Sequence, residues 1–187
     1  MLKEIEDLIK DNFALISQNI DGLHTKAGNS KEKSFFIHGD FDYVRCGFEC
    51  SKELYSFPKE IDLLNRNKDV ITEDEQRYLK CPKCGKYLRP HVLWFDEYYD
   101  DFYYKTDKVL KTAKNTGILF IIGTSGATNL PQTVCFTVLS KGGMVVEVNI
   151  EESYFSEILE DKQNGIILRE KSSDFLTKLK EELSKIF

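Results

Sequence analysis

The chain has 187 residues, 41% of them hydrophobic and 30% charged, enough for one domain with a sizeable core and a small satellite module. A net charge of -5 and a pI near 5.3 argue against a broad nucleic-acid-binding face; the acidic balance suits ordinary solubility and only weakly a basic partner such as a lysine-rich peptide. No apolar run approaches the ~18 residues of a bilayer span, and acidic residues interrupt the opening M-L-K-E-I-E-D-L-I-K where a signal peptide would be apolar. The expectation is therefore a cytoplasmic protein with no membrane segment, whose five cysteines serve as metal ligands or core residues and not as disulfides.

Leu2, Ile5, Leu8 and Ile9 recur at helical spacing, which predicts a helix ending near Asp11-Asn12. Phe13 to Ile16 is a short apolar run suited to a buried strand, followed by polar S-Q-N and a turn-like D-G. Residues 24–34 read as a loop, and Phe35-Phe36-Ile37 as another strand leading into His38-Gly39. From Asp40 to Lys86 hydrophobic periodicity is weak and charge is dense, so that stretch needs a staple. Ile118–Ile122, running into G-T-S-G, fits a buried parallel strand feeding a ligand loop. Pro131 is placed to open a helix through Leu139, with Gly142 or Gly143 beyond its end. Met144–Val148 and Ile166–Leu168 are further strands. Ser173 or Asp174 would cap a closing helix with the stripe Phe175, Leu176, Leu179, Leu183 and Ile186.

Strands alternating with helices predict an α/β fold: a partial Rossmann-like parallel sheet with helices on both faces, plus a small cysteine-stapled module. The division expected is 1–40 with 88–187 for the sheet unit and 41–87 for the module. Ligands bind such sheets beyond the strand carboxyl ends, where Q-N-I-D, G-T-S and V-N-I-E all fall; together they suggest one shared crevice.

Cys46 and Cys50 are separated by three residues, and Cys81-Pro82-Lys83-Cys84 is a tight CxxC followed by Gly85. Two such pairs bracketing a loop are the pattern of a tetrathiolate zinc site, and four thiolates leave no open position, so the one ion expected is structural. Cys135 falls in the middle of a helix and reads as core.

His38 ends an apolar run where a strand would deliver its side chain into the crevice. Alone, a histidine so placed is more often structural than catalytic. Its surroundings reverse that: S-Q-N-I-D-G-L-H-T-K-A-G at 17–28 closely resembles the signature of the sirtuins, the NAD-dependent protein deacylases. The resemblance continues in order through I-H-G at 37–39, the cysteine pairs, L-R-P-H-V-L-W-F-D-E at 88–97, I-I-G-T-S at 121–125 and V-V-E-V-N at 145–149. It implies that Gln18, Asn19, Ile20 and Asp21 face the nicotinamide and ribose of NAD, and that His38 is the general base. It further implies that Gly123, Thr124 and Ser125 form the adenosine-side loop, with Asn149 and Lys171 as further adenosine contacts. An imidazole suits the base's task because its pKa lies near working pH. Val92, Leu93, Phe95, Asp96 and Glu97 resemble the segment that holds an acyl-lysine peptide as an added strand. Trp94 and Phe95 either flank the acyl-lysine tunnel or simply pack.

The chain also departs from the family. Asp96 stands where the family has glycine, residues 98–104 are rich in Asp and Tyr, and G-T-S-G-A-T-N-L-P replaces the commoner loop. No strand with a glycine-rich G-A-G-x-S opening occurs in the 187 residues. That opening would hold the diphosphate, so the expectation is weak NAD binding and slow turnover, if any, by this polypeptide alone. Two other functions share these residues: a non-catalytic zinc-stapled peptide-binding module, and a protein ADP-ribosyltransferase using the same NAD chemistry.

Overall fold

The computed structural model describes residues 1–61 and 70–187; within the expected 41–87 module, residues 62–69 therefore lie outside the described residues. The chain opens with α1 (Leu2–Ile9), whose Ile5 and Glu6 are buried. A short 3-10 turn then delays the first strand, so β1 is Leu15–Ser17, two residues later than the apolar run suggested. After α2 (Leu23–Lys26) comes β2 (Ser34–Phe36), which lies parallel to β1 with Ile16 opposite Phe35.

Next come β3 (Gly39–Cys46), β4 (Leu54–Ser56), α3 (Glu73–Tyr78) and β5 (Leu88–Val92). The three strands form an antiparallel sheet with β3 at its centre. A capping box between Thr72 and Glu75 starts α3, satisfying amides that open the helix. β3 ends on Cys46 and β5 begins soon after Cys84, and the two strands pair, so both ends of the cysteine stretch are held in one sheet.

The rest follows as α4 (Asp101–Tyr104), α5 (Thr106–Lys114), β6 (Ile118–Ile122), α6 (Asn129–Ser140), β7 (Met144–Val148), α7 (Tyr154–Leu159), β8 (Gly165–Leu168) and α8 (Ser172–Ile186). β6, β7 and β8 form a parallel sheet in chain order. Alternation along these strands sorts their side chains. Ile121 and Val145 join Phe35, Ile37, Val109, Val134 and Phe155 in the main core, whereas Val146 and Val148 meet Phe175 and Leu179 of α8 on the other face. Helices thus cover both faces, as the α/β reading requires. The parallel strands form two sheets, β1–β2 and β6–β7–β8, because no described strand bridges them.

Two local expectations are corrected. Pro131 is not the first residue of α6, which begins at Asn129; proline is tolerated there because first-turn amides have no acceptor within the helix. Neither Ser173 nor Asp174 caps α8: the cap position is Lys171, with no side-chain cap bond, and Ile186 at the far end of the stripe is 73% exposed. Cys135 is fully buried in the main core, where burial pushes its thiol up to about 11. Among the described residues no helix is long and apolar enough to cross a membrane.

Candidate functional site

β2 delivers Ile37 into the core and His38 to its edge, half-buried. The ring Nδ1 lies 3.1 Å from the carbonyl oxygen of Gln18, just beyond β1, and Nε2 lies 2.8 Å from the Tyr99 hydroxyl. A carbonyl oxygen only accepts, so Nδ1 carries the proton and the lone pair sits on Nε2. Burial lowers the pKa of the ring, partly opposed by the Gln18 bond, which keeps the imidazole neutral and basic at pH 7.

Gln18 is the meeting point of the strand-end loops. Its Nε2 donates to Thr124 Oγ1 at 2.9 Å, and its Oε1 accepts from Thr128 Oγ1 at 3.1 Å. Asn149, beyond β7, donates from Nδ2 to the Thr124 carbonyl at 3.1 Å. Gly123 follows β6 with φ +63°, and its amide donates to the Val148 carbonyl, locking this loop onto the next strand. The loop after β1, 106 residues from Thr124, and the loop after β7, 25 residues from it, are therefore both bonded to the loop after β6 beside His38.

The other expected cofactor residues lie around this hub. Asn19 and Asp21 are exposed; Asp21 Oδ1 accepts from the Leu23 amide at the start of α2, and the Ile20 carbonyl accepts from the Phe41 amide. Ser125 is exposed, with its carbonyl accepting from the Tyr154 amide. Lys171 is exposed and precedes Ser172, whose Oγ stands 3.6 Å from where a side chain on Gly123 would begin. These residues are at the rim, while Gln18, His38, Thr124 and Asn149 form the interior.

The 92–97 segment is anchored to the residue that carries the imidazole: the Leu93 amide donates to the His38 carbonyl at 3.0 Å, and Val92 pairs with Gly39. Phe95 projects fully into solvent, and Trp94 packs against the Arg89 guanidinium at 3.9 Å. Glu97 accepts from both terminal nitrogens of Arg89, from Arg45 and from the Trp94 amide. Chiefly through Arg89, these donors hold its carboxyl below the usual range. Glu97 thus closes the loop on itself, beside a cavity of about 290 Å³ that Arg45, Leu93, Asp96 and Tyr98 also line.

At the opposite end of β3 the four sulfurs of Cys46, Cys50, Cys81 and Cys84 lie within 4.8 Å of one another, and Cys46–Cys84 and Cys50–Cys81 are each 3.6 Å apart. Sulfurs at ~2.3 Å from a tetrahedral ion would be about 3.8 Å apart, so the cluster is sized for one metal ion. The thiols also pull one another's ionisation apart. Backbone amides, Cys50's first, bring Cys46 down to about 6, while its sulfur neighbours, Cys84 foremost, push Cys50 up to about 12. Four thiolates cannot share this volume unless a cation stands among them.

Tyr99 and Thr128 lie in the two stretches that depart from the family pattern, residues 98–104 and the G-T-S-G-A-T-N-L-P loop, and neither was expected to take part in the site. Tyr99 falls in the Asp- and Tyr-rich stretch noted only as a departure, and its meeting with His38 spans 61 residues. Nothing local could have announced it.

The α/β architecture, with loops converging beyond parallel strands and a four-cysteine cluster to one side, is of the class in which ligands bind at the carboxyl ends of the strands. A sequence profile of the Sir2 family matches residues 1–129, and the chain belongs to that family. An NAD-dependent protein deacylase of Leptospira interrogans is 33% identical over 183 residues, covering 97% of this chain. Another from Pyrococcus furiosus is 34% identical over 173 residues, covering 92%. This chain spans 65% and 62% of their lengths, respectively. The fold resembles that of a Sir2 homolog–NAD complex, with a TM-score of 0.76 at 24% identity, over 98% of this chain and 62% of that one. It also resembles a Sir2–p53 peptide–NAD+ complex, with a TM-score of 0.72 at 23% identity, over 97% and 68%.

Proposed function

We propose that the chain carries the base and much of the nucleotide crevice of an NAD-dependent protein-lysine deacylase. One observation carries this reading. The imidazole of His38, neutral and with its lone pair on Nε2, stands beside Gln18, whose side chain ties the β1 loop to the β6 loop. The crevice suits a dinucleotide: it lies beyond parallel strands, and α6 opens behind the 123–128 loop with no cap side chain on its N-terminal amides. Bound NAD would supply a sugar carbon from which nicotinamide departs, so that the oxygen of an acyl-lysine can attack it.

Gln18, Asn19, Ile20 and Asp21 would hold the nicotinamide end, and Gly123, Thr124, Ser125, Asn149 and Lys171 the adenosine end. His38 would accept the proton of a sugar hydroxyl at Nε2, while the Gln18 carbonyl steadies the ring through Nδ1. Val92, Leu93, Phe95, Asp96 and Glu97 would border the peptide, its backbone added as a strand. Cys46, Cys50, Cys81 and Cys84 would hold one structural zinc, making 41–87 a stapled module set into the unit formed by 1–40 and 88–187. Thiolates of this kind would call for a reducing compartment, and the cytoplasm is the one proposed. The isolated 187-residue polypeptide should turn NAD over slowly, because it contains no glycine-rich diphosphate cradle.

The test is nicotinamide release from NAD by the protein as made in its own cells, with and without an acetyl-lysine peptide. His38→Ala should lower peptide-dependent release about 10²- to 10⁴-fold while leaving NAD binding within a few-fold. Undiminished release would remove His38 from the chemistry. Release that ignores the peptide but labels protein with ADP-ribose would replace deacylation by ADP-ribosyl transfer.

A further inference from the structure

The nitrogen assigned to catalysis is already engaged. With the Nδ1 proton directed to the Gln18 carbonyl, the lone pair on His38 Nε2 faces the Tyr99 hydroxyl at 2.8 Å, so the phenol donates to it. The two rings lie 6.0 Å apart, inclined by 23°, and Tyr104 meets Tyr99 edge-on at 6.3 Å. Thr128, which donates to Gln18, also interacts with the phenol, so Tyr99 is held on the same hub as the nucleotide loops.

The backbone beneath Tyr99 is held much less. Residues 93–100 join β5 to α4 with neither helix nor strand. Among the described residues, neither the Tyr98 nor the Tyr99 amide makes a backbone hydrogen bond, and Tyr98 is 91% exposed. The same segment carries Leu93, Asp96 and Glu97, where the peptide is proposed to lie. A ligand settling on it acts on the chain that positions the phenol.

We propose that Tyr99 is a displaceable cap on His38: its hydroxyl holds the Nε2 lone pair in the resting protein, and an incoming sugar hydroxyl must take its place before His38 can act as a base. The identity of that hydroxyl rests on the deacylase reading; the cap itself does not. In the exchange Tyr99 keeps its proton and turns away. The sugar O–H bond then breaks as the Nε2–H bond forms, leaving an imidazolium. The alternative, a relay in which Tyr99 passes its own proton to His38 and takes up the sugar's, is disfavoured because burial raises the phenol's pKa and makes its anion costly.

The cap can be tested without NAD. The chain has three histidines, so the ring-nitrogen resonances of ¹⁵N-labelled protein can be assigned to His38 by their loss in His38→Ala. Tyr99→Phe keeps the ring and its packing and removes only the hydroxyl; amide spectra superposable on the wild type would confirm an intact fold. In that variant the Nε2 resonance should move downfield, as for an imine nitrogen freed of its donor, with Nδ1 still protonated. Carbethoxylation of His38 by diethyl pyrocarbonate, which needs the free lone pair, should quicken about three- to tenfold, the factor that one ordinary hydrogen bond contributes. In peptide-dependent nicotinamide release, KM for NAD should fall with kcat maintained or raised. An unmoved Nε2 resonance with an unchanged modification rate would overturn the cap, and a collapse of kcat would overturn it in favour of the relay. A shifted resonance in a protein that never releases nicotinamide would uphold the cap and sink the deacylase reading instead.

Discussion

Gly39 offers a measurement that joins fold and site. It has φ +90°, and a Cβ built on it would stand 2.1 Å from the His91 carbonyl oxygen and 3.1 Å from Val92 Cα, both in the paired strand. In Gly39→Ala the left-handed backbone alone costs about 1–2 kcal/mol. The clash is with main chain and has no soft neighbour to yield, so β3 and β5 must part there and the Leu93-to-His38 bond weakens. With that bond worth about 0.5–1.5 kcal/mol, the expected loss is about 1.5–3.5 kcal/mol. The control is Gly142→Ala, at φ +81° with nothing within 4 Å of its would-be Cβ, which should lose only about 1–2 kcal/mol. Urea unfolding reads both as a shift in midpoint at constant slope. Equal losses in the two variants would refute the argument, since they would mean that strand contact at Gly39 contributes nothing.

Two further outcomes are expected. Cys81→Ser should release the metal measured by elemental analysis, from one ion per chain to none, and expose the 41–87 stretch to proteolysis; a well-folded, protease-resistant, metal-free variant would contradict the staple. His91 is buried, and this, with Arg45 repelling its charge more than Asp100 attracts it and Arg89 adding a smaller repulsion, lowers its pKa to about 4. The unfolded chain takes up that proton from about pH 6.5 downward and the folded chain does not. Stability is therefore full above that pH and declines as pH falls toward 4, by about 1.4 kcal/mol at pH 5.5. Denaturant melts at pH 7 and 5.5 should show this difference in the wild type and a smaller one in His91→Phe; identical pH dependence would exclude His91 as its source.

Much of this was legible from short-range pattern. Ile118–Ile122 and Met144–Val148 are continuous apolar runs of strand length, and both are strands with those boundaries. The cysteine pairs announce themselves because two closely spaced pairs are the pattern a tetrahedral ion would require, and the four sulfurs do converge. What pattern could not supply depends on tertiary contact. Phe13 and Ala14 are as apolar as Leu15 and Ile16, but the Phe13 amide bonds back to the Lys10 carbonyl to close the 3-10 turn Lys10–Asn12, and the paired strand starts only at Leu15. Pro131 carries no sign that Asn129 and Leu130 already belong to its helix. The convergence of Q-N-I-D, G-T-S and V-N-I-E was foreseeable from topology, and the bonds from Gln18 to Thr124 and from Asn149 to Thr124 are its realisation. The Arg45–Glu97–Arg89 cluster and the Tyr99 phenol on His38 were not foreseeable, because each joins residues whose local sequence has no period or motif in common.

β3 begins at the residue after His38 and ends on Cys46, so one extended strand of eight residues has the proposed base at its head and a sulfur ligand at its foot. At roughly 3.3 Å per residue it works as a strut more than 20 Å long, with a kink between Asp40 and Val44. Whatever grips the four sulfurs therefore anchors the far end of the beam on which the imidazole hangs. An ion with no chemical part in the reaction would still set how steadily that ring is aimed.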